Sequence, residues 1–118
     1  LKEGQSISGS PVDMDIDIDI WVLEEGGLIE KFRRGTKETL NISGLELGGD
    51  YSKIKVEPEG KRFGLLSNKL STVAICAKET GVCDKQLKNS KFSQAKDIVF
   101  DKEGNLYILY SGSVEMVN

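Results

Sequence analysis

Four aspartates alternate with apolar residues near the start of the chain, at Asp13, Asp15, Asp17 and Asp19. On a straight β-strand alternate side chains share one face, about 7 Å apart. Carboxylates on one face, helped by neighbouring carbonyl oxygens, suit Ca²⁺ or Mg²⁺. The run therefore predicts a cation site, and the alternatives are a hydrated polar strand face or acidic residues that cap turns. Four like charges also repel one another, which favours a turn within the run.

A second acidic set consists of Asp17, Glu57 and Asp101, each of which directly follows an alternating apolar strand pattern. If those strands repeat around an axis, the three carboxylates form an acidic ring at one end of it. Such a ring would bind a cation or a basic peptide. The alternative is turn chemistry, because carboxylates in turns accept hydrogen bonds from nearby backbone amides.

Cys76 and Cys83 flank a predicted hairpin around Glu79-Thr80. A loop of two or four residues places positions 76 and 83 opposite each other, close enough for a disulfide. A three-residue bulged loop would shift this pairing. The alternatives are a disulfide, which would indicate an extracytoplasmic compartment, or two unconnected thiols in a reducing one.

The composition argues against several classes of function. The chain has no histidine, and so it lacks the commonest general base and metal ligand. A net charge of −3 argues against binding to nucleic acid or to an anionic membrane surface. No stretch approaches the roughly 18 apolar residues that span a bilayer, which predicts no membrane contact by this segment.

Basic side chains cluster on a predicted hairpin at Lys31, Arg33, Arg34 and Lys37. The carboxylates of a partner would dock on such a cluster. The alternative is a solvated hairpin tip, because charge runs on turns usually face water.

The elements that would position these groups are short strands that repeat. Trp21, Phe63 and Tyr107 lie in three similar apolar strands at spacings of 42 and 44 residues. A period in this range is typical of β-propeller blades, each a four-stranded antiparallel sheet. The recurring aromatic residues could form a ligand cage, but in this setting they predict packing between blades.

The predicted fold class is therefore all-β, with three propeller blades. Blade one spans residues 12–43, blade two 51–88 and blade three 96–118, and residues 1–9 echo the end of a fourth strand that would complete a closing blade. The fourth strands are expected at 38–42 and 82–87. Propellers typically have about four to eight blades. We therefore expect either the remainder of a longer propeller chain or a homodimer that forms a six-bladed ring.

Two segments carry a resemblance to a known family: residues 19–29, and the turn and strand Asp101-Lys102-Glu103-Gly104-Asn105-Leu106-Tyr107. Both resemble NHL-type β-propeller repeats, and the likeness covers nearly the whole chain. It implies a rigid platform for binding. Some six-bladed relatives are calcium-dependent lactonases or similar hydrolases, but their metal-site spacing is not recognisable here, and the resemblance implies no catalytic residue.

The sequence thus favours a non-enzymatic binding or scaffold module that presents propeller loops to a protein or glycan partner. No catalytic or cofactor-binding residue is predicted, although Ca²⁺ remains possible. The alternative is a calcium-dependent, lactonase-like hydrolase of the six-bladed kind, with the Asp13–Asp19 run as its ligands.

Overall fold

The computed structural model describes residues 9–117 and is built from antiparallel sheets, which confirms the predicted all-β fold. Blade 1 and blade 2 each contain four strands in sequential order, and the described part of blade 3 contains three. The strands of blade 1 are β1 Pro11–Ile16, β2 Ile20–Glu24, β3 Ile29–Arg33 and β4 Thr36–Leu40. Those of blade 2 are β5 Lys53–Val56, β6 Arg62–Ser67, β7 Thr72–Ala77 and β8 Lys85–Lys88. Blade 3 consists of β9 Asp97–Phe100, β10 Leu106–Tyr110 and β11 Ser113–Val117.

Two short 3₁₀ helices, Glu25–Gly27 and Ser90–Gln94, lie in the connections between strands. In the second, the Asn89 side chain accepts a hydrogen bond from the Lys91 amide and so caps the helix. Within residues 9–117, no helix is long and apolar enough to cross a membrane.

The hairpin between β3 and β4 is set by its two central residues. Arg34 and Gly35 have φ angles of 50° and 80°, the positive values that a tight two-residue hairpin loop requires. The Arg33–Thr36 pair closes this loop, so β4 starts at residue 36 instead of the predicted 38. In blade 2 the hairpin extends from 78 to 84, which delays β8 to residue 85. The predicted fourth strands at 38–42 and 82–87 were therefore misplaced.

The blades stack face to face, with their first strands β1, β5 and β9 side by side. One apolar cluster fills the space between blades 1 and 2 and includes Trp21, Leu23, Ile54 and Phe63. A second lies between blades 2 and 3 and includes Leu66, Phe92, Ile98, Phe100 and Ile108. This stacking is that of propeller blades about a common axis, as predicted. The proposed closing strand at 1–9 lies outside the described residues, apart from Gly9.

Candidate functional site

The antiparallel connections divide the molecule into two ends. We define the short-turn end as the connections 17–19, 34–35, 57–61, 78–84 and 101–105. The long-loop end consists of the connections 25–28, 41–52, 68–71, 89–96 and 111–112. Successive strands of a blade run in opposite directions, so the connections alternate between the two ends. The predicted site residues belong to the short-turn end or to the strands that flank it.

Asp13 and Asp15 lie on β1 and point toward blade 2. The Oδ2 atom of Asp13 accepts a hydrogen bond of 3.0 Å from the Ile54 amide, and that of Asp15 accepts one of 2.8 Å from the Val56 amide. These amides lie on the edge of β5 that β6 does not pair. The two carboxylates therefore satisfy the edge of β5 that no strand pairs and join the inner strands of blades 1 and 2.

Asp17 and Asp19 lie in the turn that follows β1. Asp17 Oδ1 accepts hydrogen bonds from the Asp19 amide at 2.8 Å and from Trp21 Nε1 at 3.0 Å. Asp19 is buried and accepts two hydrogen bonds from Arg33, at 3.0 and 2.9 Å. The four aspartates therefore do not share one strand face, because the strand ends at residue 16.

Within the described range, no group of three or more His, Cys, Asp or Glu side chains is arranged to hold a metal ion. Each of the four aspartate carboxylates instead accepts a hydrogen bond from another group of the protein. Binding of Ca²⁺ by Asp13, Asp15, Asp17 and Asp19 stays a prediction.

The three carboxylates of the predicted acidic ring each accept hydrogen bonds within their own turn. Glu57 accepts from the Arg62 amide at 3.2 Å and from Arg62 Nη2 at 2.8 Å. Asp101 accepts from the amides of Glu103 and Asn105 and from the Tyr107 hydroxyl. These contacts are the ones that turn chemistry requires. Capture of a cation or a basic peptide by Asp17, Glu57 and Asp101 stays a prediction.

Hydrogen bonding controls the ionisation of this set. Burial alone would raise the pKa of Asp17, but hydrogen bonds from Lys78, the Asp19 amide and Trp21 outweigh it and lower the pKa. The hydrogen bond from Arg62 lowers the pKa of Glu57. At Asp101 desolvation would also raise the pKa, but hydrogen bonds from Asn105 and Tyr107 outweigh it and lower the pKa. All three carboxylates are therefore charged at neutral pH.

Two cations connect the blades at the short-turn end. Lys78 Nζ lies 2.7 Å from Asp17 Oδ2 and donates to the Glu57 carbonyl at 2.6 Å. Arg62 Nη2 donates to the Gly104 carbonyl of blade 3 at 2.9 Å. Each cation thus links an acidic turn to a neighbouring blade.

Cys76 and Cys83 are joined by a disulfide across the hairpin of blade 2, and both are buried. The hairpin docks on the linker from blade 1. The Ser43 amide donates to the Gly81 carbonyl at 3.1 Å, and the Cys83 amide donates to the Ser43 carbonyl at 2.8 Å. The crosslink therefore holds a hairpin that itself holds blades 1 and 2 together.

The basic cluster is divided among separate partners. Lys31 lies 3.3 Å from Glu38 and 5.3 Å from the centre of the Trp21 ring, and Lys37 lies 3.7 Å from Glu30. Arg33 binds Asp19, as described above, whereas Arg34 forms the exposed tip of the hairpin. Three of the four cations are thus engaged with carboxylates of their own blade.

The three recurring aromatic residues are not equivalent, which corrects the sequence-based alignment. Trp21 contacts Phe63 across the interface of blades 1 and 2, with ring centres 5.4 Å apart, so the two side chains face each other. The strand registers instead align Trp21, Gly64 and Tyr107, which are 43 residues apart. A shift of one residue reverses the face of a strand, and position 63 was taken one residue too early. The buried Trp21 and Phe63 pack between blades.

A buried carboxyl pair was missed by sequence reasoning. Glu24 and Glu30 are 1% and 0% exposed, respectively, and lie on the face of blade 1 that points away from blade 2. Burial and the neighbouring Glu30 carboxyl raise the pKa of Glu24. The available signal in the sequence was a pair of glutamates, on adjacent strands, at positions where the strand pattern predicts apolar residues.

A cavity at the long-loop end was also missed. A cavity of about 220 Å³ lies between the turn at 26–27 and the linker from blade 1 to blade 2. Its lining includes Gly26, Gly44, Leu45, Leu47 and Tyr51. Leu45 packs against the core, whereas Leu47 is 92% exposed at the rim. The signal in the sequence was the glycine-rich stretch at 44–49.

The connections of the long-loop end are held by hydrogen bonds, both around this cavity and away from it. Tyr51 donates its hydroxyl to the Glu46 carbonyl at 3.2 Å, and Ser67 Oγ donates to the Gly49 carbonyl. Asn68 Nδ2 donates to the carbonyls of Phe92 and Ala95, each at 2.8 Å. Gly44 needs its positive φ and leaves no room for a side chain, because an added Cβ would lie 2.6 Å from the Cys83 carbonyl. Several hydrogen bonds therefore fix the backbone of the long-loop end.

Known proteins resemble this chain in fold and not in sequence. No protein-family model and no curated protein matches it. Among solved structures, hydrazine synthase of Kuenenia stuttgartiensis aligns over 100% of this chain and 36% of its own, with a TM-score of 0.73 and 11% identity. Virginiamycin B lyase of Staphylococcus aureus aligns over 92% of this chain and 38% of its own, with a TM-score of 0.67 and 15% identity.

A third match, Hsv2 of Kluyveromyces lactis, aligns over 92% of this chain and 33% of its own, with a TM-score of 0.65 and 12% identity. The chain thus spans about a third of the length of each of these propeller-type proteins. A fold shared at this level of identity does not by itself imply a function. What the chain has in common with them is the β-propeller fold.

Proposed function

We propose that the chain is a non-enzymatic binding module of NHL-like propeller type that presents its long-loop end to a protein or glycan partner. The observation that carries this proposal is the 220 Å³ cavity with the exposed Leu47 at its rim. A rigid scaffold that displays loops is a common arrangement for recognition. The geometry favours a protein partner, because Leu47 offers an apolar anchor while Tyr51 is buried and cannot stack on a sugar ring.

The hydrogen bonds from Tyr51, Ser67 and Asn68 support this proposal physically. Loops that are already ordered lose little conformational entropy on binding, so more of the contact energy appears as affinity. The Cys76–Cys83 disulfide fits display of such a module in an oxidising compartment.

A display library of random peptides and a glycan array, both probed with the full chain, would test the proposal. We expect ligands whose affinity falls at least about tenfold in Leu47→Ser, since loss of an apolar anchor costs about 1–3 kcal/mol. Ile18→Ser is the matched control, because Ile18 is 88% exposed at the opposite end. Ligands that respond to Ile18→Ser but not to Leu47→Ser, or an absence of ligands from both panels, would contradict the proposal.

A calcium-dependent hydrolase remains the competing hypothesis, and a melting experiment separates the two. A ligand that binds only the folded chain raises the melting temperature. The binding-module proposal expects no change with added CaCl₂ beyond that produced by MgCl₂. A calcium-specific rise that is lost in Asp13→Asn and Asp15→Asn would favour the hydrolase.

A further inference from the structure

The linker between blades 1 and 2 runs parallel to the segment that enters β8. The backbone of Ser43 forms a parallel bridge with Val82. Further along both segments, Gln86 Nε2 donates to the Gly44 carbonyl at 2.9 Å. The contacts follow the same order in the two segments, as they do between parallel strands. The start of the linker is therefore attached to blade 2.

Two glycines bring the linker close to the hairpin of blade 2. An added Cβ at Gly81 would lie 2.5 Å from the Asn41 carbonyl oxygen, and one at Gly44 would lie 2.6 Å from that of Cys83. Between these two contacts, the Ser43 amide and carbonyl form hydrogen bonds with Gly81 and Cys83. Backbone segments packed this closely do not move independently. A displacement of Cys83 therefore displaces the linker.

The position of Cys83 depends on the crosslink. The strand ladder between β7 and β8 does not include residues 78–84. This hairpin is held instead by the disulfide to Cys76 and by hydrogen bonds between Ala77 and residues 81–82. Cys76 lies on β7, which is an interior strand of the blade. The disulfide therefore fixes the second arm of the hairpin to the interior of the sheet.

The same linker forms one wall of the cavity at the long-loop end. Residues 42–47 all line that cavity. Ile42 and Leu45 also pack on the apolar cluster that contains Cys76 and Cys83. None of the described residues that line the cavity is a cysteine. The crosslink therefore acts on the cavity through the linker and not by direct contact.

We infer that the Cys76–Cys83 disulfide is a positioning element of this cavity, so that ligand affinity depends on its oxidation state. The disulfide fixes Cys83, Cys83 binds Ser43, and Ser43 is part of the cavity wall. A dithiol reductant would convert the disulfide into two thiols and would itself become a disulfide. Binding would then have to order the loosened wall, which lowers affinity. The inference rests on the proposed function, because it concerns binding at the same cavity.

Hydrogen exchange of single amides in the full chain tests the positioning role without a ligand. We expect the Ser43 amide to exchange at least about tenfold faster in Cys76→Ala/Cys83→Ala than in the oxidised wild type, because local opening is no longer opposed by the crosslink. The Ser52 amide is the matched control, since it belongs to the same linker but donates to the Leu66 carbonyl of β6 at 2.9 Å. Equal acceleration at both amides, or none at Ser43, would overturn the inference. Circular dichroism checks that the double variant is folded.

A second variant weakens the same attachment and leaves the crosslink intact. Gln86→Ala removes the hydrogen bond to Gly44, and we expect the Ser43 amide to exchange about threefold faster. Lys85→Ala is the matched control, because Lys85 precedes Gln86 on β8 and lines a groove with Phe100 of blade 3. An unchanged rate in Gln86→Ala, or an equal change in Lys85→Ala, would overturn the route through the linker.

Binding measurements separate this inference from the proposed function. A peptide or glycan selected in the panels described above should bind at least about tenfold more weakly to the double cysteine variant and to the reduced wild type. A reducing agent should have no further effect on the variant. A ligand that is lost with Leu47→Ser but retains its affinity for the double cysteine variant would support the proposed function and overturn this inference. An absence of ligands would contradict the proposed function and with it the dependence of affinity on the disulfide, whereas the exchange rates still decide the positioning role.

Discussion

The two internal blade interfaces differ in the size of the side chain at one corresponding position on the second strand of the blade. In blade 1 this position is Trp21, whose ring meets Phe63 of blade 2. In blade 2 it is Gly64, which faces Ile98 and Phe100 of blade 3. An added Cβ at Gly64 would lie 3.1 Å from Ile98 Cδ1. One interface is filled from the earlier blade and the other from the later one.

The comparison shows what the repeat preserves. In each blade a given position faces the same neighbouring blade. The two blades of an interface, however, contribute different shares of the side-chain volume that fills it. Dense packing requires only that the summed volumes fill the gap. An aromatic residue can therefore move from one side of an interface to the other, and this explains why Phe63 resembled Trp21 in the sequence without being its counterpart.

The polar contacts differ between the two interfaces as well. Blades 1 and 2 are joined by the Lys78–Asp17 ion pair and by the crosslinked hairpin that docks on Ser43. Blades 2 and 3 are joined by the Lys55–Asp97 ion pair and by hydrogen bonds from Arg62 and Asn68 to backbone carbonyls. Both interfaces therefore contain an ion pair, but the first also depends on the oxidation state of the crosslinked hairpin.

Trp21→Ala should produce the largest loss of stability. Removal of a large aromatic side chain from a core costs about 3–5 kcal/mol in the free energy of unfolding, through lost burial and the cavity left behind. Tyr107→Ala is the matched control, since Tyr107 occupies the same position on the uncovered face of blade 3. Measurement by urea denaturation of both variants tests the comparison, and equal losses would contradict it.

Cys76→Ala combined with Cys83→Ala should lower the free energy of unfolding by about 2–3 kcal/mol, because the crosslink restricts the unfolded chain. A reducing agent should lower the stability of the wild type by a similar amount and leave the double variant unchanged. Hydrogen exchange should report faster exchange of the Cys83 amide, which binds Ser43. Unaltered exchange at that amide would mean that the hairpin does not need its crosslink to dock.

Gly64→Leu should destabilise the interface of blades 2 and 3 by about 2 kcal/mol, because overpacking forces side chains out of their preferred positions. Denaturation of this variant beside Gly64→Leu/Phe100→Ala offers a direct check. If volume is shared across the interface, the second substitution should recover part of the loss. A further additive loss would show that size is not exchangeable at this position.

Lys78→Met should have the smallest effect, about 1–2 kcal/mol at pH 7, because it leaves the Asp17 carboxylate partly unpaired. The pKa of Asp17 is below its ordinary value of 3.8 in the folded chain, so its contribution is present above that pH. The contribution is lost as the pH falls through the folded pKa. Removal of Lys78 should therefore flatten the fall in stability below pH 4. Denaturation curves from pH 7 to pH 2.5 measure this slope, and an unchanged slope would contradict the role of the ion pair.

Much of the architecture was predictable because it follows from local signals. Alternation of apolar residues and the turn glycines predicted the second strands, and both define backbone geometry within a few residues. The fourth strands were misplaced, since their start depends on the positive φ angles of Arg34 and Gly35 and on the long hairpin of blade 2. Sequence patterns do not distinguish a two-residue loop from a longer one at these polar stretches.

The candidate site was harder to predict. The Asp13–Asp19 run has the composition of a cation site, but its partners are the β5 amides and Arg33, which are distant in sequence or lie in another strand. The cavity at the long-loop end depends on how the 41–52 linker folds back on Tyr51 and Ser67. Neither arrangement produces a periodic pattern of residues in the sequence.

Residue order alone was enough to specify an all-β chain of stacked sheets, because strand alternation and turn chemistry act between neighbours along the chain. The face that each strand presents and the partner of each carboxylate emerged from packing. These properties depend on contacts between residues about 40 positions apart, such as Asp13 with Ile54, and a one-residue change of register reverses them.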